Sequence, residues 1–407
     1  TPCARLANKV ISNAARENAM TISLLPDNPA AWTFRSWDDL MAIPREEREK
    51  LQLEAVRINF HRLRDRIPAL KKLADRQGVD TIDRIEDILP VCFDHRVLKN
   101  YPIQIIENRD FAKLTTWLDK LTAHDLTRID LTGLKTIEEW LGRLEAFGML
   151  VTYSSGTTGK LSFVPRSYDE FGPWKFHFFN VNYAASGVNA WTTKLPTFFP
   201  GYRGGYQTML KMMSLFNVEM AGGPDNYYTL YDTHIPADLM ALSGRLQAAE
   251  DKGEVAALGL DPALLEQRQQ MLQQGRQRDG DLEAWFGKLI QQFKGQRVKI
   301  GGTFADMYRV ARAGLDKGMQ CEFAPGSMLM GGGGMKGYKD APDDWEDQVK
   351  SFFGIDRLGN QYGFSECIGN GPLCDAGFFH MPPYSVLLLM GPNGESLPRG
   401  GGQKGRL

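Results

Sequence analysis

Between Glu46 and Ile67 the apolar residues Leu53, Val56, Phe60, Leu63 and Ile67 recur every three or four positions, with Arg, Glu and Lys in the gaps. That period is helical, so the stretch predicts an amphipathic helix. Pro68 interrupts the pattern, a shorter helix is predicted to about Gln77, and Gly78 is placed to stop it. Further helical patterns cover Ile82 to Leu89, Phe111 to Leu121 and Ile137 to Phe147, separated by Pro90, Tyr101-Pro102 and Thr132-Gly133. Residues 1 to 100 therefore read as a helical N-terminal section, and residues 101 to 407 as the body that carries the chemistry.

From Met149 the texture changes to short apolar runs, each ended by glycine and followed by a helical pattern. They are Met149 to Tyr153, Val298 to Ile300, Ser327 to Met330 and Leu358 to Tyr362. Strands alternating with helices predict an α/β fold, with a mostly parallel sheet flanked by helices. Ligands of such sheets bind at the carboxyl ends of the strands, in the loops that lead into helices. Residues 237 to 295 are polar, with partial helical faces through Leu246, Leu258, Leu264, Leu265 and Met271, and read as a helical insertion at the surface.

Charge and cysteine content narrow the setting. The 48 Lys and Arg nearly balance 49 Asp and Glu, for a formal net charge of -1, which gives no electrostatic footprint for nucleic acid. The longest apolar run, Tyr384 to Met390, is far shorter than the roughly 20 residues that span a bilayer. Residues 1 to 25 lack a secretory signal pattern, so a cytoplasmic protein without a membrane span is expected. The five cysteines (Cys3, Cys92, Cys321, Cys367, Cys374) form no CxxC pair, and the six histidines no HExxH. A metal cage built from protein ligands alone is not expected.

Three loops could do chemistry. The first, Tyr153-Ser-Ser-Gly-Thr-Thr-Gly-Lys160, follows a predicted strand. Its glycines let backbone N–H groups approach a polyphosphate, its hydroxyls donate further bonds, and Lys160 supplies charge. It is not a Walker A loop: Ser154 stands where the first glycine is required, and Leu161 follows the lysine. The second, Met330-Gly-Gly-Gly-Gly-Met-Lys-Gly337, removes side chains at a strand end so that a flat ring or a phosphate can lie against the main chain. Read alone, Gly332, Gly334 and Gly337 fit GxGxxG, with Asp356 about 20 residues on, which admits a dinucleotide-binding oxidoreductase. The third, Gln361-Tyr-Gly-Phe-Ser-Glu366, offers a ring, a glycine, a hydroxyl and a carboxylate that could stack a base, contact a phosphate and hold Mg²⁺.

In this order the three loops resemble the adenylate-forming superfamily of acyl-CoA synthetases, peptide-synthetase adenylation domains and luciferases. The segment from Tyr153 to Lys160 matches that family's most specific motif, and Tyr362-Gly-Phe-Ser-Glu366 its Tyr-Gly-x-Thr/Ser-Glu motif. The lead section, through Asn59-Phe-His-Arg-Leu-Arg-Asp-Arg-Ile-Pro68, Gly78, Ile85-Glu-Asp-Ile-Leu-Pro90 and Asn100-Tyr-Pro102, looks like the phenylacetate-CoA ligase and bacterial acyl-protein synthetase branch. The likeness covers most of residues 55 to 407.

The resemblance implies a ligase that activates a carboxylic acid with ATP to acyl-AMP, releases pyrophosphate, and transfers the acyl group to a thiol of coenzyme A, carrier-protein pantetheine or a protein cysteine. An acyl-accepting protein partner is thereby implied as one option. It assigns Ser154, Ser155, Gly156, Thr157, Thr158, Gly159 and Lys160 to the β- and γ-phosphates. Gly332, Gly333 and Gly334 would line the adenine, Tyr362 would stack on it beside Gly363, Ser365 would contact the α-phosphate, and Glu366 would bind Mg²⁺, with Lys160 and Glu366 as the catalytic pair. Trp174, His177 and Phe178, together with Phe176, Phe198 and Phe199, are candidates for an acyl pocket. Cys367 and Cys374 lie just beyond Glu366. The family's ribose-binding Asp and its C-terminal lid would follow Gly405-Arg406-Leu407, so this chain is expected to hold the nucleotide cleft without the lid and to catalyse poorly alone. A non-catalytic nucleotide-binding module on the same fold is the other reading.

Overall fold

The computed structural model describes residues 37–154, 160–253, 255, 262–335 and 341–406. The expectations placed on Cys3, Ser155, Gly156, Thr157, Thr158, Gly159, Leu258, Gly337 and Leu407 lie outside these residues.

The lead section is helical as its periodicity predicts. Helix α1 spans Arg45–Leu63 and α2 spans Pro68–Gln77. Pro68 occupies the first turn of α2, where a missing N–H costs nothing, and Gly78 closes it in the left-handed region at φ 65°. The pattern over Ile82 to Leu89 folds as a 3₁₀ segment, Ile85–Val91, because Pro90 lacks the N–H that a longer helix would use. Phe60, Ala74, Ile82 and Val91 close a small core beneath α1 and α2. One face of α1 is tied to the far end of the chain, since the buried Gln52 amide donates to Pro383 O at 2.8 Å and Ser385 O at 2.9 Å. Helices α3 (Phe111–Asp119) and α4 (Ile137–Ala146) follow. Thr136 and Glu139 cap α4 reciprocally, at 3.1 and 3.0 Å.

Strand β1 (Met149–Ser154) forms as expected but does not join the parallel sheet; it pairs antiparallel with β2 (Ser162–Ser167). Both faces of this hairpin are covered. Val151, Tyr153 and Phe163 pack on Leu114, Trp140 and Leu141, while Leu150 meets Trp174 and Phe179 on the other side. A strand buried on two faces reads as a continuous apolar run whichever way its neighbour points, so the sequence could not separate the two cases.

The main sheet is mixed only at its edge. Strands β3 (Thr197–Gly205), β4 (Tyr227–Ile235), β5 (Lys299–Thr303), β6 (Met328–Gly332), β7 (Leu358–Tyr362) and β8 (Gly371–Pro372) lie in the order β4-β3-β5-β6-β7-β8. All neighbours are parallel except β7 and β8. Helices flank both faces: α5 (Phe171–Ser186) on one, and α7 (Pro262–Gln292), α8 (Phe304–Asp316) and α9 (Trp345–Phe353) on the other. Helix α6 (Ala237–Lys252) precedes α7. The surface-insertion reading of 237 to 295 is corrected, because the last turns of α7 carry Leu282, Phe286, Leu289 and Ile290 into the main core beside Phe198, Ile300 and Phe352. The polar first half of α7 masked this apolar end.

Strand alternation assigns the two faces of β5. Ile300 enters the core under α7 to α9, while its neighbour Lys299 points to the α5 side. Lys299 is 3% exposed, donates to Asn217 Oδ1 at 2.8 Å and lies 5.6 Å from the Phe178 ring centre. Burial pushes its pKa from 10.5 down to about 7. Between these values the unfolded chain holds a proton that the folded one lacks, so stability rises with pH from about 7 to 10.5. Lys299→Met should be more stable at neutral pH and should flatten that rise in urea titrations; an unchanged pH profile would rule out the uncompensated lysine. A methyl at Gly314 of α8 would sit 2.0 Å from the Phe352 ring. Gly314→Ala should therefore lose about 1–2 kcal/mol by overpacking despite its better helix propensity, read as a lower Tm.

Candidate functional site

Three segments far apart in sequence meet at the carboxyl ends of β6 and β7. Gly332 ends β6 and Gly333 follows it, and Gly363, Phe364 and Ser365 follow β7. Trp174, His177 and Phe178 come from α5, and these residues share a cavity of ≈ 200 Å³ with Thr208, Met209, Met212, Cys367, Ile368 and Asn370. The cavity is smaller than the roughly 300–1,000 Å³ usual for small-molecule sites, so its described part holds only a portion of a nucleotide-sized ligand. A side chain at Gly332 or Gly333 would meet nothing within 4 Å, which leaves their backbone open to the cavity, and Gly333 is left-handed at φ 74°.

The polar centre is a residue that the motifs did not single out. Arg166 of β2 is 4% exposed and lines the cavity. Its guanidinium donates to Thr152 Oγ1 at 3.1 Å and to Ser365 O at 2.6 Å, and it stacks on the Trp174 ring at 4.6 Å. These partners are neutral. Burial lowers its pKa, opposed by the fields of Glu170, Cys367 and Glu366. A buried cation whose direct partners are uncharged favours an anion at the open side of its guanidinium. The signal was present in the sequence: Arg166 is the one charge in the apolar run from Leu161 to Arg166.

His177 is a positioning group. Its Nε2 accepts the Asn370 N–H at 2.6 Å, so the proton sits on Nδ1, which faces the Tyr384 hydroxyl at 3.0 Å. With both ring nitrogens engaged and the ring buried, its pKa falls from 6.5 to about 3. Asn370 in turn packs on the Tyr-Gly turn, where a methyl at Gly363 would come within 2.0 Å of its Oδ1.

Other predicted residues lie elsewhere. Ser154 ends β1 opposite Ser162, outside the cavity wall. Lys160 lies 4.5 Å from the Tyr101 ring centre and donates to the Tyr101 carbonyl. Partial burial and the nearby Lys99 lower its pKa. Tyr362 is 43% exposed and stacks on Phe379 at 5.5 Å, on the far side of the turn from the cavity. Glu366 is exposed beside Arg166. No cluster of three or more His, Cys, Asp or Glu able to hold a metal occurs among the described residues. Of the wider aromatic set, Phe198 belongs to the main core, Phe199 packs on Leu210 and Tyr227, and Phe176 rests on Tyr384, so none of the three lines the cavity. Gly334 follows Gly333 in the left-handed region at φ 61° but is not in the wall. Of the two late cysteines, Cys367 lines the cavity and Cys374 does not.

No family model matches the chain, and no curated protein matches it. No helix among the described residues is long and apolar enough to cross a membrane.

Because the folded state refuses a proton on His177 until about pH 3 while the unfolded chain accepts one near 6.5, stability should fall as pH drops through that window. His177→Gln should remove this part of the acid slope in denaturant titrations. An identical slope in the variant would show that His177 is not the group responsible.

Proposed function

We propose that this chain activates a carboxylic acid with ATP, forming acyl-AMP and pyrophosphate, and then passes the acyl group to a thiol. The observation that carries the reading is the convergence of Gly332, Gly333, Gly363 and Ser365 around Arg166 at the strand ends. Bare glycine backbone suits a flat base or phosphate, the serine hydroxyl and guanidinium suit phosphate oxygens, and the apolar wall of Trp174, Phe178, Met209 and Met212 suits the body of an acid. The finer architecture proposed is the large domain of an acyl-CoA synthetase, with the Tyr153 to Lys160 loop as its phosphate grip.

In the first step a carboxylate oxygen bonds to the α-phosphorus while the bond to the bridging oxygen breaks and pyrophosphate leaves with both electrons. In the second a thiolate attacks the acyl carbon and AMP departs; coenzyme A, a pantetheine arm or a protein cysteine would each serve. Negative charge accumulates on phosphate oxygens in the first step, and Arg166 is already fixed where it can meet that charge without reorganising. Lys160 must leave the Tyr101 carbonyl to reach a triphosphate tail. One exposed carboxylate, Glu366, fits Mg²⁺, which is commonly held by one or two carboxylates together with substrate phosphates and water. The ion would offset phosphate charge there.

The engagement of Lys160 with Tyr101 favours a second reading, a nucleotide-binding module on the same fold without catalysis. The dinucleotide reading needs a helix opening inside the glycine loop. The next described helix, α9, instead begins at Trp345.

Pyrophosphate exchange and hydroxamate formation across aryl and fatty acids test the proposal. Lys160→Ala and Glu366→Ala should each slow exchange roughly a hundredfold or more. Full exchange by both variants would remove the assigned roles, and ATP retention without exchange for any acid would select the binding module.

A further inference from the structure

A second cavity, larger than the Arg166 cleft, lies on the other side of the Tyr362 turn. It measures ≈ 470 Å³, within the range of small-molecule sites, and shares none of its lining with the cleft around Arg166. Two parts of the chain more than 300 residues apart build it: the first turn of α1 and the segment from Phe379 to Gly400. Its body is apolar, through Phe379, Met381, Leu387, Leu389 and Leu397, with the Tyr362 ring at the edge. Tyr362 and Phe379 are each 43% exposed and lie side by side, their ring centres 5.5 Å apart.

Its charged lining has one sign in excess. Arg45, Arg48 and Arg399 face a single carboxylate, Glu49, and Arg45 already holds that carboxylate at 2.8 Å. The Arg399 guanidinium donates to the neutral Gln52 Oε1 at 2.6 Å, and burial lowers its pKa. The backbone carbonyl of Arg399 accepts from Arg45 Nη2 at 2.7 Å, so Arg45 and Arg399 are held in place, and with Glu49 offsetting one of the three guanidiniums the lining keeps two positive charges in excess. In a chain whose total charge is -1, three guanidiniums around one apolar hollow are a local concentration of positive potential.

We propose that this cavity binds an amphipathic anion, with a carboxylate or phosphate head on the arginines and an alkyl or aryl body against Phe379, Leu387, Leu389 and Leu397. Guanidiniums pair with either head in a fork geometry, and the desolvated walls reward an apolar body but not a second charge. The site shares no lining with the Arg166 cleft, and Tyr362, which the resemblance gives to adenine, is the one residue common to this proposal and the acyl-activation reading.

The test is isothermal titration of the whole chain, without ATP, with decanoate, decyl phosphate, decanol and decyltrimethylammonium. At least one anion should bind at least tenfold more tightly than decanol, and the cation should not bind; the tighter of the two anions names the head group. Arg48→Glu changes a partly exposed side chain, so its thermal unfolding should be unchanged while anion binding weakens at least tenfold. A photoreactive decanoate should label the Phe379 to Leu397 segment. Equal affinity for decanol and both anions, anion binding unaffected by Arg48→Glu, or labelling confined to α5 and the short helix Thr208–Met212 would each overturn the proposal.

Discussion

A guanidinium buried without a charged partner in contact sets the geometry of the central cleft. Arg166 reaches Thr152 across its own hairpin, Ser365 on the turn after β7, and the face of Trp174 on α5. It therefore fixes three elements relative to one another at a point where the parallel sheet itself has no hydrogen bonds to offer. Leaving a cation there is costly unless dipoles and a π face share the charge, and these partners do so without quenching it. The result is a positively charged wall inside a largely apolar pocket.

The His177 arrangement extends the same logic. A neutral imidazole accepts a backbone N–H from Asn370 and faces Tyr384, and so couples α5 to the chain on both sides of β8. Arg166 holds the near end of the Tyr-Gly turn and His177 the far end. Between them the turn has little freedom, as expected of a segment meant to present backbone and hydroxyl groups at fixed positions.

The element pattern was legible where a single face decides it. Helices α1, α2, α3 and α4 followed from spacing, proline and glycine, and β5, β6 and β7 from short apolar runs. The pairing of β1 was not legible, because burial on both faces erases the alternation that separates a hairpin from a parallel strand. Strands β3 and β4 were missed because Pro200, Gly201, Gly204 and Gly205 interrupt β3, whose register against β4 shifts twice. In the cleft, the glycines of the second loop and Gly363 to Ser365 were found from composition, whereas Arg166, Thr208 and Asn370 were not. Arg166 stood out locally only as the lone charge in an apolar run, and the contacts that give these residues their place, to Ser365, Thr152 and His177, span stretches that no local window contains.

The clasp between Gln52 and the carbonyls of Pro383 and Ser385 joins residues separated by 331 and 333 positions. On a ribosome α1 emerges long before the segment that satisfies it, and at about 5–20 residues per second the wait lasts some tens of seconds. Throughout synthesis the helix must leave that amide to water, and the apolar hollow beneath its first turn has no opposite wall. The lead section can acquire its own small core early, but its docking is a late event in the life of the nascent chain, and the interval is one in which a chaperone would find it open.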